Sequence, residues 1–235
     1  MTPLPLVFIP GMMCDARLYE HQIVSLSGRY PVHIASVYNK DCVRDMAKEV
    51  LEHAPPRFVL IGLSMGGIVA MEILAQAADR VINVALLDTS PLSESGDIKK
   101  VREQQIKQVQ TGRLKQLMLE QVIPMLHLEG KYGAKIADTF LSMALGLGKD
   151  VFERQSRALQ SRPDQQETLK KTTVPALILC GQNDWLCPLE QHQLMHELID
   201  CSRLEIIEDA GHLTTLEQPE ATTTAIEKWL EESID

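Results

Sequence analysis

The sequence of 235 residues has few aromatic side chains, fewer basic than acidic ones, and no long uninterrupted apolar run. Aromatic residues make up 4% of the chain and apolar residues 45%, so we expect a sizeable aliphatic core in which methionine fills gaps. The 23 Lys and Arg against 32 Asp and Glu give a formal net charge of −9. This balance argues against non-specific binding to nucleic acid and to anionic membrane surfaces. Because no apolar stretch is long enough to cross a bilayer, we expect no membrane-spanning segment.

Cysteine does not occur in a pattern that indicates pairing. The chain has five cysteines, an odd number, at scattered spacings and without a Cys-x-x-Cys motif. This distribution predicts free thiols in a reducing compartment. The first five residues contain no basic region, and the apolar run that follows is short. We therefore expect no signal peptide and a cytoplasmic protein.

Apolar runs that predict buried strands alternate with amphipathic segments that predict helices, except in the middle of the chain. The length suits one large α/β domain or a domain with an insertion. Regular alternation argues for a mostly parallel sheet covered by helices on both faces. The predicted strands lie near residues 4–10, 30–37, 57–61, 81–87, 174–180 and 203–208.

Residues 92–172 break the alternation, because they contain helical patterns and no comparable strand-like run. The segment is too long for one crossover helix, so we predict a helical lid inserted between two strands. The expected domain boundaries are therefore 1–91 and 173–235 for an α/β core, with 92–172 as the lid. The predicted lid helices lie at 98–119, 134–145 and 151–159.

The pentapeptide Gly62–Gly66 stands where a predicted strand meets a predicted helix. It has the form Gly-x-Ser-x-Gly, with Ser64 at its centre. A serine on such a tight turn presents its hydroxyl above the edge of the sheet, and a Cβ at either glycine would collide with the neighbouring strand or helix. The N–H groups that begin the following helix would face an oxyanion formed there. The alternative is a plain connection in which Ser64 only caps the helix.

Three predicted loops carry a nucleophile, an acid and a base. A serine hydroxyl needs an adjacent base to become a nucleophile, and the base needs an orienting acid. Functional groups of an open parallel sheet gather beyond the carboxyl ends of its strands, where we expect Ser64, Asp184 and His212. Asp209 is a second candidate for the acid, but it lies only three residues before His212 at the same strand end, which favours Asp184.

Over almost its full length the chain resembles the α/β-hydrolase superfamily. The resemblance implies that Ser64 is the nucleophile, His212 the base and Asp184 the orienting acid. It further implies that the backbone N–H groups of Met12 and Met65 form the oxyanion hole, with no metal ion or organic cofactor required. The resemblance is carried by Gly62–Gly67 for the nucleophile elbow, Gly181–Pro188 for the acid loop, Ala210–Leu213 with Glu217–Glu220 for the histidine loop, and Ile9–Met12 for the oxyanion loop.

The chain also departs from the superfamily pattern. Pro10-Gly11 replaces the usual His-Gly, but the backbone donor of Met12 survives that change. The first two strands of the superfamily have no counterpart, so we expect about six strands rather than eight. Asp15–Tyr19 and Arg154-Gln155 resemble a group of small bacterial carboxylesterases.

Other residues are weaker candidates for a site. His192 and His196 lie four residues apart on a predicted helix and would suit a two-histidine metal face, but no third ligand is evident and we expect a solvated surface. We expect Arg162 and Asp164 to pair structurally where a helix end docks the lid, in preference to a substrate-binding arginine. Asp88 is an alternative acid, as in some relatives within the superfamily.

Three functions are compatible with this pattern. The first is hydrolysis of a small carboxylic ester, thioester or lactone through an acyl-enzyme, and it is the best supported. The second is a lyase, synthase or C–C hydrolase on the same scaffold, which inward-facing lid arginines would favour. The third is a non-catalytic ligand sensor, which the presence of all three triad residues disfavours. The expected partner is a small molecule, with no nucleic acid or membrane, and the expected assembly is a monomer or homodimer.

Overall fold

The computed structural model describes residues 4–128 and 132–234. Met1–Pro3, which belong to the segment considered for a signal peptide, and residues 129–131 of the predicted lid lie outside the described residues. Six strands form one sheet in which all neighbouring strands are parallel. The predicted fold class and strand number are therefore confirmed. The strands are β1 (Leu6–Ile9), β2 (Val32–Ile34), β3 (Phe58–Leu63), β4 (Val81–Leu87), β5 (Ala176–Gly181) and β6 (Ser202–Ile207).

The strand order is β2-β1-β3-β4-β5-β6. After β2 the chain returns to the other side of β1, so the direction in which strands are added reverses between β1 and β3. Ligands bind open parallel sheets beyond the carboxyl ends of the strands at such a reversal. The register pairs Leu63 of β3 with Leu87 of β4, and Gly181 of β5 with Ile207 of β6. The loops after these strands therefore leave the sheet at one edge.

The longer helices lie near their predicted positions, whereas the short helices Ile123–Met125 and Gln166–Lys170 were not predicted. Two of the predicted helices are divided. The helix predicted over 98–119 is interrupted at Gly112, whose φ of +85° ends the regular turn. The last predicted helix divides before Pro219, because proline has no backbone N–H with which to continue a helix. The helices are α1 (Glu20–Leu26), α2 (Val43–His53), α3 (Met65–Ala77), α4 (Gly96–Gln110), α5 (Leu114–Leu117), α6 (Ile123–Met125), α7 (Gly133–Leu147), α8 (Lys149–Gln160), α9 (Gln166–Lys170), α10 (Leu189–Leu198), α11 (Thr214–Glu217) and α12 (Pro219–Ile234).

Each face of the sheet is covered by its own apolar cluster. One cluster joins side chains of β1, β3 and β4 to α2, α3 and α10. The other joins the alternate residues of the same strands to α12 and to helices α4, α5, α7 and α8. The rings of Phe8 and Tyr19 are in tilted contact inside the second cluster, with centroids 4.8 Å apart. The prediction that helices cover both faces is confirmed.

Residues 92–172, called the helical insertion from here on, contain α4 to α9 and no strand among their described residues. Ile106, Phe140 and Phe152 of this segment are buried in the cluster that also contains Leu6 of the sheet. The insertion and the sheet thus share one core. Among the described residues, no helix combines the length and the apolar character that crossing a bilayer requires.

Candidate functional site

Ser64 lies on a strained turn between β3 and α3. Its φ of 56° and ψ of −118° are uncommon for any residue other than glycine. A Cβ at Gly66 would lie 1.9 Å from the carbonyl oxygen of Ile9 in β1, and a Cβ at Gly62 would lie 2.3 Å from the carbonyl oxygen of Gly66. Both glycines are therefore required by the close approach of main chain. The Ser64 side chain makes no capping hydrogen bond to α3, so the structure does not support the simple capping interpretation.

A chain of hydrogen bonds joins Ser64, His212 and Asp184. The Nε2 atom of His212 lies 2.9 Å from the hydroxyl of Ser64, and its Nδ1 atom lies 2.9 Å from Oδ2 of Asp184. His212 and Asp184 are each only 6% exposed. The arrangement has the contacts that activation of a serine hydroxyl requires, namely a base within hydrogen-bond reach and an acid that orients the base.

The loops that carry Asp184 and His212 are held by backbone hydrogen bonds. Oδ1 of Asp184 accepts the N–H groups of Leu186 and Cys187, each at 2.9 Å, which leaves Oδ2 for the histidine. Glu217 accepts the N–H groups of the residues on either side of His212, at 2.9 and 2.8 Å. From the sequence alone Glu217 was placed only within the histidine-loop motif. Its position five residues after His212 was the available sign that its carboxylate could reach the backbone of that loop.

Opposing effects set the pKa of His212. Burial lowers it, whereas the charge of Asp184 and the hydrogen bond that the ring donates to that carboxylate raise it, and Asp88 adds a smaller increase. The net pKa lies above the ordinary value of 6.5. Because a carboxylate stabilises the imidazolium form, this histidine is suited to receive a proton from Ser64.

Asp88, the alternative acid, lies fully buried beside the site without contacting the histidine ring. Its carboxylate accepts the N–H of Gly181 at 3.0 Å and the hydroxyl of Thr214 at 2.6 Å. Burial and the neighbouring charge of Asp184 raise its pKa well above the usual range. Asp88 therefore ties the acid loop to the start of α11. Asp209 is exposed and makes no side-chain hydrogen bond within the described part of the chain.

The loop after β1 lies against Ser64. A Cβ built on Gly11 would be 3.4 Å from the Cβ of Ser64, so the residue before Met12 lies close to Ser64. Within residues 4–128 and 132–234, the N–H groups of Met12 and Met65 donate to no protein acceptor. The N–H of Met13 instead donates to Oε1 of Gln155 at 2.8 Å. Two backbone donors are thus left unpaired next to Ser64, as an oxyanion hole requires.

The expectation of a solvated surface is wrong for His192, although His196 is exposed. Nε2 of His192 accepts the N–H of Thr89 at 3.1 Å, and its Nδ1 contacts the carbonyl of Pro188 at 3.3 Å. Burial lowers the pKa of His192 to about 4, so it is a neutral core residue. His196 contacts the hydroxyl of Ser202 at 2.7 Å. Both rings are engaged in structural hydrogen bonds, which does not support a metal face.

The expected pairing of Arg162 with Asp164 is also wrong. Arg162 donates from Nε to the carbonyl of Leu92 at 2.9 Å, and its Nη1 lies 3.8 Å from Glu94. Glu94 is bound on its other side by Arg102. The sequence did not reveal this cluster, because Glu94 lies in a loop and pairs with residues 8 and 68 positions away.

Comparisons with known proteins find similar chains among bacterial esterases and lactonases. A pimeloyl-[acyl-carrier protein] methyl ester esterase of Pectobacterium carotovorum is 26% identical, with 94% of this chain and 92% of that protein aligned. A 3-oxoadipate enol-lactonase of Acinetobacter baylyi is 22% identical over 92% of this chain and 84% of that protein. The structure of a thermophilic esterase from Thermogutta terrifontis with malate bound superposes with a TM-score of 0.90 at 27% identity, covering 99% of this chain and 91% of that one.

The match to a family model extends beyond single motifs. The model of the alpha/beta hydrolase family aligns with residues 6–225. That range begins with β1 and ends within α12, so it includes the whole sheet and the segments that carry Ser64, Asp184 and His212. With this coverage, the chain belongs to the alpha/beta hydrolase family.

Proposed function

We propose that the protein is a serine hydrolase that cleaves small carboxylic esters, or the corresponding thioesters and lactones, through an acyl-enzyme. The observation that carries the proposal is the hydrogen-bonded series from Ser64 through His212 to Asp184, with 2.9 Å at each contact. Relatives named as esterases and as an enol-lactonase support the substrate class.

In this mechanism Ser64 attacks the ester carbonyl while His212 removes its proton at Nε2. Asp184 holds the ring through Nδ1 and stabilises the imidazolium that forms. The N–H groups of Met12 and Met65 stabilise the oxyanion. In known hydrolases each such donor lowers the activation barrier by roughly 3–4 kcal/mol. The protonated His212 then protonates the leaving alcohol.

The second half of the cycle uses the same residues. His212, neutral again, removes a proton from a water molecule, which attacks the acyl-enzyme and releases the carboxylic acid. We propose that the helical insertion acts as a lid over this chemistry, because α8 and α4 contact the oxyanion loop through Gln155 and Arg102. A lid would exclude bulk water and limit the size of the substrate.

Labelling and turnover together test the proposal. The wild type, Ser64→Ala and a control, Ser27→Ala at the exposed end of α1, are treated with a fluorophosphonate probe and with p-nitrophenyl esters from acetate to decanoate. We expect Ser64→Ala alone to lose labelling and to reduce kcat by about 10⁴-fold or more. The preferred chain length would measure the space beneath the lid. Wild-type labelling without turnover would favour a lyase or a narrow substrate range, and neither labelling nor turnover would favour a ligand sensor.

A further inference from the structure

Three charged side chains meet at the base of the helical insertion and leave one positive charge uncompensated. The side chains of Glu94, Arg102 and Arg162 are 1%, 16% and 15% exposed. Two guanidinium groups thus share one carboxylate in a mostly buried position. Burial of an unpaired charge is costly unless it acquires a partner.

Glu94 is already committed to Arg102. Nε of Arg102 donates to both carboxylate oxygens of Glu94, at 3.0 and 3.1 Å, and its Nη2 donates to Oε1 at 2.5 Å, so that two nitrogens bind one carboxylate. Arg162 is too distant for a hydrogen bond to the same carboxylate, with 3.8 Å between Nη1 and Oε1. The cluster therefore holds two guanidinium groups and one carboxylate, and Arg162 is the more loosely paired of the two arginines.

The donors of Arg162 are partly free. Its Nε donates to the carbonyl of Leu92, but Nη1 and Nη2 have no hydrogen-bond acceptor within the described residues. The polar atoms that are fully enclosed and lack a partner do not include these two nitrogens. Both nitrogens therefore retain contact with solvent. Burial lowers the pKa of Arg162, and the repulsion from Arg102 contributes in the same direction against the attraction of Glu94. A bound anion would relieve this repulsion.

The cluster lies at the edge of the sheet that carries the catalytic residues. Nη1 of Arg102 lies 3.5 Å from the Sδ atom of Met12, whose N–H is a proposed oxyanion donor. Arg162 donates to the carbonyl of Leu92, in the segment that follows β4. In the sheet β4 lies between β3, which precedes Ser64, and β5, which precedes Asp184. The Arg162 guanidinium therefore belongs to the same group of loops as the catalytic residues.

We propose that Arg162, supported by the Arg102–Glu94 pair, binds a carboxylate of the substrate. The preferred substrates would then be esters or lactones that carry a second, ionised carboxyl group, such as monoesters of dicarboxylic acids. Planar guanidinium donors match a carboxylate in geometry and charge. This inference rests on the proposed ester hydrolysis and assigns its substrate class.

The first test compares matched substrates on the wild-type enzyme. Mono-p-nitrophenyl esters of succinate to pimelate place the carboxylate on the acyl side, acetyl esters of hydroxy acids place it on the alcohol side, and the corresponding primary amides are the neutral controls. We expect kcat/KM to favour at least one carboxylate series over its amides by about tenfold or more, mainly through KM, because an ion pair adds binding energy. Equal kcat/KM values for both series and their amides would overturn the proposal.

Variants then assign the preference to Arg162. Arg162→Gln should reduce the carboxylate-to-amide ratio about tenfold, and Arg162→Lys should restore part of it because the charge remains. The control is Arg157→Gln on α8, which removes an arginine paired with Glu103 and should leave the ratio unchanged. An unchanged ratio in Arg162→Gln would show that the residue only docks the insertion. If Arg162→Gln does not fold, Arg162→Lys and the wild-type comparison still test whether Arg162 binds the substrate carboxylate.

The experiments distinguish an error in the carboxylate subsite from an error in the proposed hydrolase function. If neutral esters are cleaved in a Ser64-dependent reaction without any preference for carboxylates, only the subsite is wrong. If no ester of any series is cleaved and Ser64 is not labelled, the hydrolase proposal itself is wrong.

Discussion

At the scale of single residues, the proposed catalysis depends on how three carboxylates, those of Asp184, Asp88 and Glu217, act on His212. A base must be neutral to remove a proton, and the pKa of His212 lies above 6.5 because the nearby carboxylates outweigh the effect of burial. The activity of the proposed hydrolase should therefore fall as pH decreases through a midpoint above 6.5. A profile of kcat/KM against pH with a p-nitrophenyl ester measures this midpoint.

Asp184→Asn tests the origin of that pKa. Removal of the charge should lower the midpoint, and loss of the orienting contact at Nδ1 should reduce kcat by about 10⁴-fold. The matched control is Asp209→Asn, because Asp209 was the other candidate acid in this region and is exposed. If Asp209→Asn caused the larger loss, Asp184 would not be the orienting acid.

Gly66 offers a residue-scale test of the strained turn. Gly66→Ala would place a Cβ 1.9 Å from the carbonyl oxygen of Ile9, which belongs to the main chain of β1 and cannot rotate away. We expect the free energy of unfolding to decrease by about 3 kcal/mol or more. Gly28→Ala is the control, because no atom lies within 4 Å of a Cβ built there. Denaturant unfolding of both variants measures the difference, and equal midpoints would contradict the proposed close approach.

At the scale of elements, helix α8 supports the oxyanion loop from within the helical insertion. Gln155 is fully buried, and its amide group bridges the N–H of Met13, at 2.8 Å, and the carbonyl of Val37, at 3.1 Å. Met13 has a φ of 58°, so this contact holds an unfavourable conformation. The insertion therefore holds the residue next to Met12, the proposed oxyanion donor.

Gln155→Ala should reduce kcat more than it raises KM. The change leaves two buried backbone groups without partners, at about 1–3 kcal/mol each, and allows the Met12 amide to move. Loss of one oxyanion donor lowers kcat by about 10²–10³-fold in known hydrolases, which sets the upper limit expected here. The control is Gln160→Ala on the same helix, where the side chain bonds to Lys99 of α4 instead. A loss confined to KM would mean that Gln155 shapes the pocket rather than the loop.

At the scale of the whole molecule, most of the sheet was predictable from local patterns. The four central strands are short, mostly apolar runs such as Val81–Leu87. The turn at Gly62–Gly66 was predictable because main chain packs closely against both glycines. Contacts between distant segments were not predictable. His192 has the spacing of a surface face but is buried against Thr89, and Arg162 pairs with Glu94 rather than its neighbour Asp164. The periodicity of a helix can be predicted from sequence, but the face of that helix that a neighbouring element buries cannot.

The shared core makes a final prediction about how the molecule unfolds. Side chains of the helical insertion, such as Phe140 and Phe152, lie in the same apolar cluster as Leu6 of the sheet and Trp229 of α12. An insertion that lacks a separate core cannot bury its own apolar surface, so it should unfold together with the sheet. Trp185 is 73% exposed, and Trp185→Phe leaves Trp229 as a single reporter of the core. We expect its fluorescence and the circular dichroism at 222 nm to change at the same denaturant concentration. An earlier loss of helical signal would mean that the insertion opens independently, as a mobile lid would.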